Sequence, residues 1–301
     1  MSGSRNQYLL QDCVRQNLCF INCRMIVFDY RSPSPELRSY VSQYRIIGFE
    51  FSNVLTLPAK PYWPRPENCL VFYPRDTELI THPTGEQQER GFRSALIGQP
   101  LIVTNRQVGR DFVVFQVVFQ PGALFRLTGL PVNQLTDTFI DAEAVFSSSI
   151  QRVNERLSSL NSHLEMIAVV EDFLRSLVRK VRYDIQPMDK AAGYLLQQAR
   201  IPSLDWLASE ACLSRKQFYR RFIERMGVSP KFFARIVHFD RAVKLKNARP
   251  QTDWLSIALE LGYYDYQHLV RDFKEFTHLT PTAFYQLDSQ APERVFGHIE
   301  I

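Results

Sequence analysis

Between Ser214 and Arg225 five basic side chains, Arg215, Lys216, Arg220, Arg221 and Arg225, stand with a single acid, Glu224. At helical spacing Phe218 and Phe222 share one face, which leaves Arg215, Lys216, Gln217, Tyr219, Arg220 and Arg221 on the other. A solvated helix face ordinarily mixes its signs; this one does not. Arginine can donate two hydrogen bonds to guanine O6 and N7, and glutamine can pair with adenine N6 and N7. Lys216, Gln217 and Arg220 are therefore candidates to read base edges, and Arg215 and Arg221 candidates to hold phosphates.

The element that would position them is a helix-turn-helix, and it is written twice. The first copy reads Leu207-Ala208, Ala211, Leu213-Ser214, Phe218, Arg220, Phe222, Gly227 and Ser229-Pro230; the second reads Ile257-Ala258, Leu261-Gly262, Leu269, Arg271, Phe273 and Thr280-Pro281. Ala208 and Ala258 are 50 residues apart, whereas Phe218 and Leu269 are 51 apart, so one residue is inserted near the second turn. A pattern repeated at fixed register implies two reading heads on one chain. In the second copy Tyr266, Gln267 and Arg271 project outward by register, Tyr263 reads as a packed turn residue, and Lys274 joins the phosphate-holding set. His268 reads as a phosphate contact or as inert. Between the copies Lys231 to Ala248 forms an apolar-striped helix on the order of 27 Å long, suited to place the heads in successive major grooves roughly 34 Å apart.

Charge agrees with this division. Residues 187–286 hold 15 Lys and Arg against 10 Asp and Glu, a balance of +5, and the whole chain is +5, so the remainder sums to zero. The basic excess belongs to the repeat, as a polyanion-binding region requires. The length of 301 residues suits two domains. Cys13, Cys19, Cys23, Cys69 and Cys212 are scattered with no CxxC pair, which reads as reduced thiols in a cytoplasmic protein rather than a zinc site. No apolar run approaches the roughly 18 residues of a membrane span, and the polar start has no signal-peptide character.

Upstream of the repeat, β-formers cluster at 44–51, 70–73, 101–104 and 112–120, separated by turn-rich stretches. They predict an antiparallel barrel or double-sheet jelly roll. From Ile150 to Val181 apolar residues recur at steps of three and four, interrupted at Glu171 and by the turn residues 158–162. Two helices are expected there, packed on their own sheet or forming a symmetric dimer interface. Periodicity lapses at Tyr183 to Pro187. The boundaries are thus 1–183 for the first domain and 187–288 for the second, with helix-turn-helix motifs at about 204–225 and 254–276. Asp189, Ser203, Ser214, Ser229-Pro230, Thr252-Asp253, Asp265 and Thr280-Pro281 mark helix starts.

From about Asp189 to Gln286 the chain resembles the DNA-binding domain of the AraC/XylS family of bacterial transcription regulators, with Gly227-Val228-Ser229-Pro230 and Leu279-Thr280-Pro281 closing the two units. The resemblance implies seven helices, two helix-turn-helix motifs and a long linking helix. It places base contacts at Lys216, Gln217, Tyr219, Arg220, Tyr266, Gln267 and Arg271; Ser214, Arg215, Arg221, His268 and Lys274 are the expected phosphate contacts beside them. Tyr264, Tyr266 and Val270 depart from the family's habit, which points to more shape-dependent readout by the second unit. The first 180 residues resemble the cupin-like sensing domains of that family through Pro121-Gly122-Ala123-Leu124-Phe125-Arg126-Leu127-Thr128-Gly129. If an effector binds there, Tyr62, Trp63, Tyr73, Arg75, Arg93 and Phe115 are the candidate lining residues; without one they are ordinary core or surface. The histidines of metal cupins are missing, since the strand region contains only His82, so no metal and no cofactor is expected.

The fold expected is therefore α+β in two domains: an N-terminal antiparallel β-barrel or jelly roll with a helical hairpin, and an all-α C-terminal domain of about seven helices. The function expected is a sequence-specific DNA-binding transcription regulator, not an enzyme. Its expected partners are double-stranded DNA, a small-molecule effector, RNA polymerase and a second copy of the chain. The alternatives are a ligand-independent dimeric regulator, or a thiol- or metal-using DNA repair or cupin enzyme fused to a DNA reader.

Overall fold

Two long apolar segments pair to form the spine of the N-terminal domain. In the computed structural model, which describes residues 23–52, 59–89, 91–198, 202–291 and 294, β2 (Val41–Phe51) runs antiparallel to β9 (Asp111–Phe119) from Val41 opposite Phe119 to Glu50 opposite Asp111. Around them the first sheet has the order β1 (Cys23–Arg31), β2, β9, β4 (Cys69–Phe72), β7 (Ser94–Ile97), β10 (Phe139–Asp141), antiparallel throughout. A second antiparallel sheet has the order β3 (Ala59–Tyr62), β8 (Thr104–Val108), β5 (Glu78–Thr81), β6 (Gln87–Glu89). Both sheets are open, so the double-sheet alternative describes the domain and the closed barrel does not. The strands of the second sheet are three to five residues long, too short to carry hydrogen bonds around a closed seam. Cys13, Cys19 and the polar N-terminal stretch lie outside the described residues.

The period of two in β9 separates two cores. Phe115 and Val117 face the helices α1 (Ala123–Thr128), α2 (Ala142–Phe146), α3 (Ser148–Ser158) and α4 (His163–Val178), meeting Leu124, Ile150, Leu157, Val170 and Leu174. Phe112, Val114 and Val118 face the other way, with Phe49, Val71 and Tyr73. The helical pair breaks at 159–162, as the turn residues there predict, and packs on its own sheet. Glu171, which interrupts the apolar period, is buried because three donors meet its carboxylate: the Ser34 amide at 2.8 Å, Tyr44 Oη at 3.3 Å and Arg175 Nη2 at 2.6 Å.

One expected strand is something else. Of 101–104 only Thr104 enters a strand; Leu101, Ile102 and Val103 precede β8. Leu101 and Val103 are apolar because they pack into the C-terminal domain, one against each helix-turn-helix unit.

That domain contains seven helices among the described residues: α5 (Pro187–Leu195), α6 (Leu204–Glu210), α7 (Arg215–Met226), α8 (Pro230–Ala248), α9 (Trp254–Glu260), α10 (Tyr266–Thr277) and α11 (Pro281–Asp288). Six begin at side-chain caps, Ser203, Ser214, Ser229, Asp253, Asp265 and Thr280, each accepting from the amide three residues on. The seventh differs from expectation. Helix α5 starts at Pro187, and Asp189 lies in its first turn, where its carboxylate accepts from the Gln186 amide at 3.0 Å.

The same carboxylate lies at the seam between the domains, where it ties α7 to α5. Asp189 receives Arg225 through two hydrogen bonds of 2.6 and 2.5 Å, both side chains buried. Arg225 in turn lies over the Phe125 ring at 4.6 Å. Gly122, with φ +74°, caps α1 where a Cβ would come within 1.9 Å of Asp189 Oδ1. Only glycine fits there, which gives the Pro121-Gly122-Ala123 stretch a physical role. Further along the seam, Thr136 Oγ1 donates to the Gly227 carbonyl at 2.7 Å, the Val103 amide to the Phe276 carbonyl at 2.7 Å, and Trp63 Nε1 to Asp240 Oδ1 at 2.9 Å.

Candidate nucleic-acid interface

Each reading head is built the same way from its residues upward. In the first unit Leu207 and Ala208 of α6, with Ala211, pack against Phe218 and Phe222 of α7, all of them buried. The chain turns at Cys212, φ +52°, and the Leu213 amide bonds back to the Ala208 carbonyl at 3.0 Å before Ser214 caps α7. In the second unit Ile257 and Ala258 of α9 pack against Leu269 and Phe273 of α10. Here the turn is at Gly262, φ +77°, and the Tyr263 amide bonds to the Ala258 carbonyl at 3.0 Å. Leu213 therefore corresponds to Tyr263 and Ser214 to Asp265, so the inserted residue is Tyr264.

Helix α8 joins the two heads. Its 19 residues span about 28 Å at 1.5 Å each. Phe233, Ala234 and Val237 enter the first unit's core, and Ile236, Phe239, Ala242 and Val243 the second's. The heads are thereby mounted on opposite sides of one rigid element.

On α7, Arg215, Lys216, Gln217, Tyr219, Arg220 and Arg221 are exposed together, with Tyr219 at 45%. Within this set two residues already have partners. Arg215 Nε lies 2.7 Å from Asp205 Oδ1 of α6, in an exposed pair worth at most about 1 kcal/mol. Gln217 Oε1 accepts from the Ser214 amide at 3.2 Å and from its hydroxyl at 3.0 Å, while Ser214 Oγ accepts from the Gln217 amide. The glutamine is thus folded back in a capping box, and its acceptor is engaged by its own cap. Arg225, counted with the helix's basic set, is withdrawn into the domain seam.

On α10, Gln267, His268, Arg271 and Lys274 are exposed. Tyr266 is half-buried against the second unit's core rather than fully outward. His268 Nδ1 lies 2.9 Å from its own N-cap carboxylate, Asp265, whose pKa these bonds lower. Tyr263 packs on His238 and donates its hydroxyl to Asp272 Oδ2 at 3.1 Å, so the packed reading describes it. Burial raises the Asp272 pKa against the pull of Arg235, which reaches it at 2.6 Å.

In the N-terminal domain the side chains of the six candidate ligand residues make separate contacts, although the Tyr73 amide bonds the Arg93 carbonyl at 2.8 Å. Phe115 faces the helical core and Tyr73 the opposite side of the sheet, donating its hydroxyl to Glu78 at 2.7 Å. Trp63 is at the seam, edge-on to Phe284. Tyr62 lies beneath the Arg106 guanidinium, Arg75 bonds the Ser158 carbonyl and Asn161, and Arg93 bonds Glu143. A cavity of about 60 Å³ near the mouth of the sheets is lined by His82, Thr104, Arg106 and Asp137, with none of the six. A larger one, about 230 Å³, lies at the domain seam between Arg45, Glu67, Asp240 and Lys244. Among the described residues no three His, Cys, Asp or Glu side chains gather within metal-ligand reach, and no helix is long and apolar enough to cross a membrane.

The partners missed from sequence are Asp189, Arg225 and Asp240, acids and a base withdrawn from the surface. Only Asp189 had a visible signal, its place beside a helix start.

A match to a known family falls on the same region. Residues 207–286 match the family described as a helix-turn-helix domain. An uncharacterized HTH-type transcriptional regulator of Haemophilus influenzae is 28% identical over 163 residues, 52% of this chain and 53% of that protein. The HTH-type transcriptional regulator MtrA of Neisseria gonorrhoeae is 30% identical over 101 residues, 32% of this chain and 33% of that protein. The chain thus spans about half the length of the one curated relative and a third of the other. Among solved structures, apo ToxT of Vibrio cholerae, a single-substitution variant, is 11% identical with a TM-score of 0.47, covering 85% of this chain and 99% of that one. With two capped reading heads on one connecting helix and a family match that spans them both, the C-terminal part of the chain contains a helix-turn-helix domain.

Proposed function

We propose that the protein is a sequence-specific DNA-binding transcription regulator, its helices α7 and α10 entering adjacent major grooves while the N-terminal domain controls their presentation. The observation that carries this reading is the division of α7. Phe218 and Phe222 are sealed in the core while Lys216, Tyr219, Arg220 and Arg221 form one exposed, basic face that the N-terminal domain leaves open. Lys216 and Arg220 read bases in the first unit, Gln267 and Arg271 in the second, and Arg221 and Lys274 hold phosphates. The test is fluorescence anisotropy on a site selected from random duplexes. Arg220→Ala should lose about 1–3 kcal/mol of binding at that site. Equal affinity of the two proteins would refute the assignment.

Control is proposed to pass through the seam. Leu101 and Val103 touch the cores of the two units, so any shift of the segment between them re-aims one head against the other. A small-molecule effector would act there, at the cavity beside Arg45 and Lys244, rather than through Tyr62, Tyr73, Arg75, Arg93 and Phe115, which face apart. The ligand-independent regulator is favoured by the 60 Å³ cavity of the sheets, well below the roughly 300 Å³ of ordinary ligand pockets. A second copy of the chain, RNA polymerase and a cytoplasmic location complete the proposal. Sedimentation with and without cell extract, in the presence of the selected duplex, tests the dimer and the effector together.

A further inference from the structure

The two heads are near-copies, and the one residue that the second has and the first lacks is Tyr264. The first unit passes from Leu213 directly to its cap Ser214, whereas the second passes from Tyr263 through Tyr264 to Asp265. The turn itself does not require the addition, since both units make the same backbone bond from five residues back, at 3.0 Å, and the same left-handed bend. Nor does the core use it: Tyr264 is 87% exposed, the most exposed large hydrophobic side chain among the described residues. Single exposed apolar residues are ordinary on a protein surface, so exposure alone assigns nothing. Three further facts do.

The first is place. Tyr264 immediately precedes the N-cap of α10, at the end of a recognition helix that enters the groove. The second is restraint. Its ring meets His268 edge-on with centroids 5.8 Å apart, and His268 is itself held at 2.9 Å by Asp265, so the phenol has a packed neighbour on the reading side of the helix. The third is charge. Helix α10 carries Arg271 and Lys274 against Asp272 and Glu275, whereas α7 carries five basic residues against Glu224. Arg235 of α8 takes both acids, at 2.6 Å each, which leaves α10 two exposed cations against four on α7, so the second head gains more from a neutral donor to the backbone.

Resting on the DNA-binding reading above, we propose that Tyr264 is a DNA-backbone contact, its hydroxyl donating a hydrogen bond to a phosphate oxygen at the edge of the groove that α10 enters and its ring lying against the adjoining deoxyribose. A neutral phenol displaces no counterion, so this grip is independent of salt, unlike that of arginine and lysine.

The experiment is anisotropy of the full chain with its selected duplex across a series of salt concentrations, for the wild type, Tyr264→Phe, Tyr264→Ala, Arg271→Ala and Arg220→Ala. Tyr264→Phe keeps the ring and removes one donor, and should bind roughly three- to tenfold more weakly with the same slope of log K against log salt. Tyr264→Ala should be weaker again at that same slope, and the loss should be equal on selected and unrelated duplexes, as for a backbone contact. Arg271→Ala, which removes a base-reading side chain, should lose more affinity on the selected duplex than on unrelated ones. Circular dichroism melts of both tyrosine variants should match the wild type. If Tyr264→Phe binds as the wild type does while Arg220→Ala loses affinity, the DNA-reading assignment stands and the Tyr264 contact is overturned. If the wild type selects no sequence, or Arg220→Ala binds equally well, both fall.

Discussion

Removing the carboxylate of Asp189 should destabilise the protein far more than an ordinary surface substitution. In Asp189→Ala the Arg225 guanidinium loses two hydrogen bonds of 2.6 and 2.5 Å and remains buried between α5, α7 and the Phe125 ring. Each charge-assisted bond is worth about 1.5–3 kcal/mol, and stranding a buried charge typically costs about 3–5 kcal/mol in all. A cavity where Gly122 meets the carboxylate adds to the loss. Replacing both partners by apolar residues of similar volume, Asp189→Leu with Arg225→Met, strands no charge and should recover at least half of it. Urea unfolding followed by circular dichroism and tryptophan fluorescence measures all three proteins. A single variant within about 1 kcal/mol of the wild type, or a double variant worse than the single, would refute the claim that this pair is buried and holds the recognition helix α7 to α5 beside the Phe125 ring.

The His238 imidazole, ordinarily near 6.5, is pushed down to about 4 by burial and then by Arg241. Between these values the unfolded chain binds a proton that the native one refuses, so stability is whole above about pH 6.5 and falls by about 3 kcal/mol on the way to pH 4. Urea midpoints across that range should show the loss in the wild type and less of it in His238→Gln; parallel curves would contradict the burial. Gln217→Ala should cost about 0.5–1 kcal/mol of stability, through the lost capping box, and leave the selected DNA sequence unchanged. An altered sequence would return Gln217 to the base-reading set. Trp63→Phe removes the bond to Asp240 and should loosen the seam by about 1.5–3 kcal/mol, read as faster proteolysis within residues 179–186; an unchanged rate would show that this bond does not hold the domains.

The C-terminal half was legible because its determinants are local. Caps such as Ser203, Ser229 and Thr280 sit beside the amides they satisfy, and the core positions of one unit reappear 50 or 51 residues later. The strands β2, β4 and β9 were legible for the same reason, being continuous β-forming runs. Strands β3, β5, β6, β7 and β10 were not, since three or four residues show no period; β1 carries a visible signal in Met25-Ile26-Val27-Phe28, outside the four expected clusters. What sequence spacing hides is any role settled between distant segments. Leu101 and Val103 look like a strand but are interdomain packing, Trp63 looks like a ligand wall but bonds Asp240, and Arg225 looks like part of a DNA-facing set but meets Asp189. Gln217 is a local case of the same kind: its chemistry suits adenine, and its own cap competes for it.

The claim that two unequal heads on one chain read DNA is tested most directly by selecting bound duplexes from a random pool with the full protein and footprinting the winners. The account predicts two sequence blocks centred about 10 base pairs apart on one face of the duplex, with Lys216→Ala and Arg220→Ala relaxing one block only and Gln267→Ala and Arg271→Ala relaxing the other. Enrichment of a single block, or of none, would contradict it.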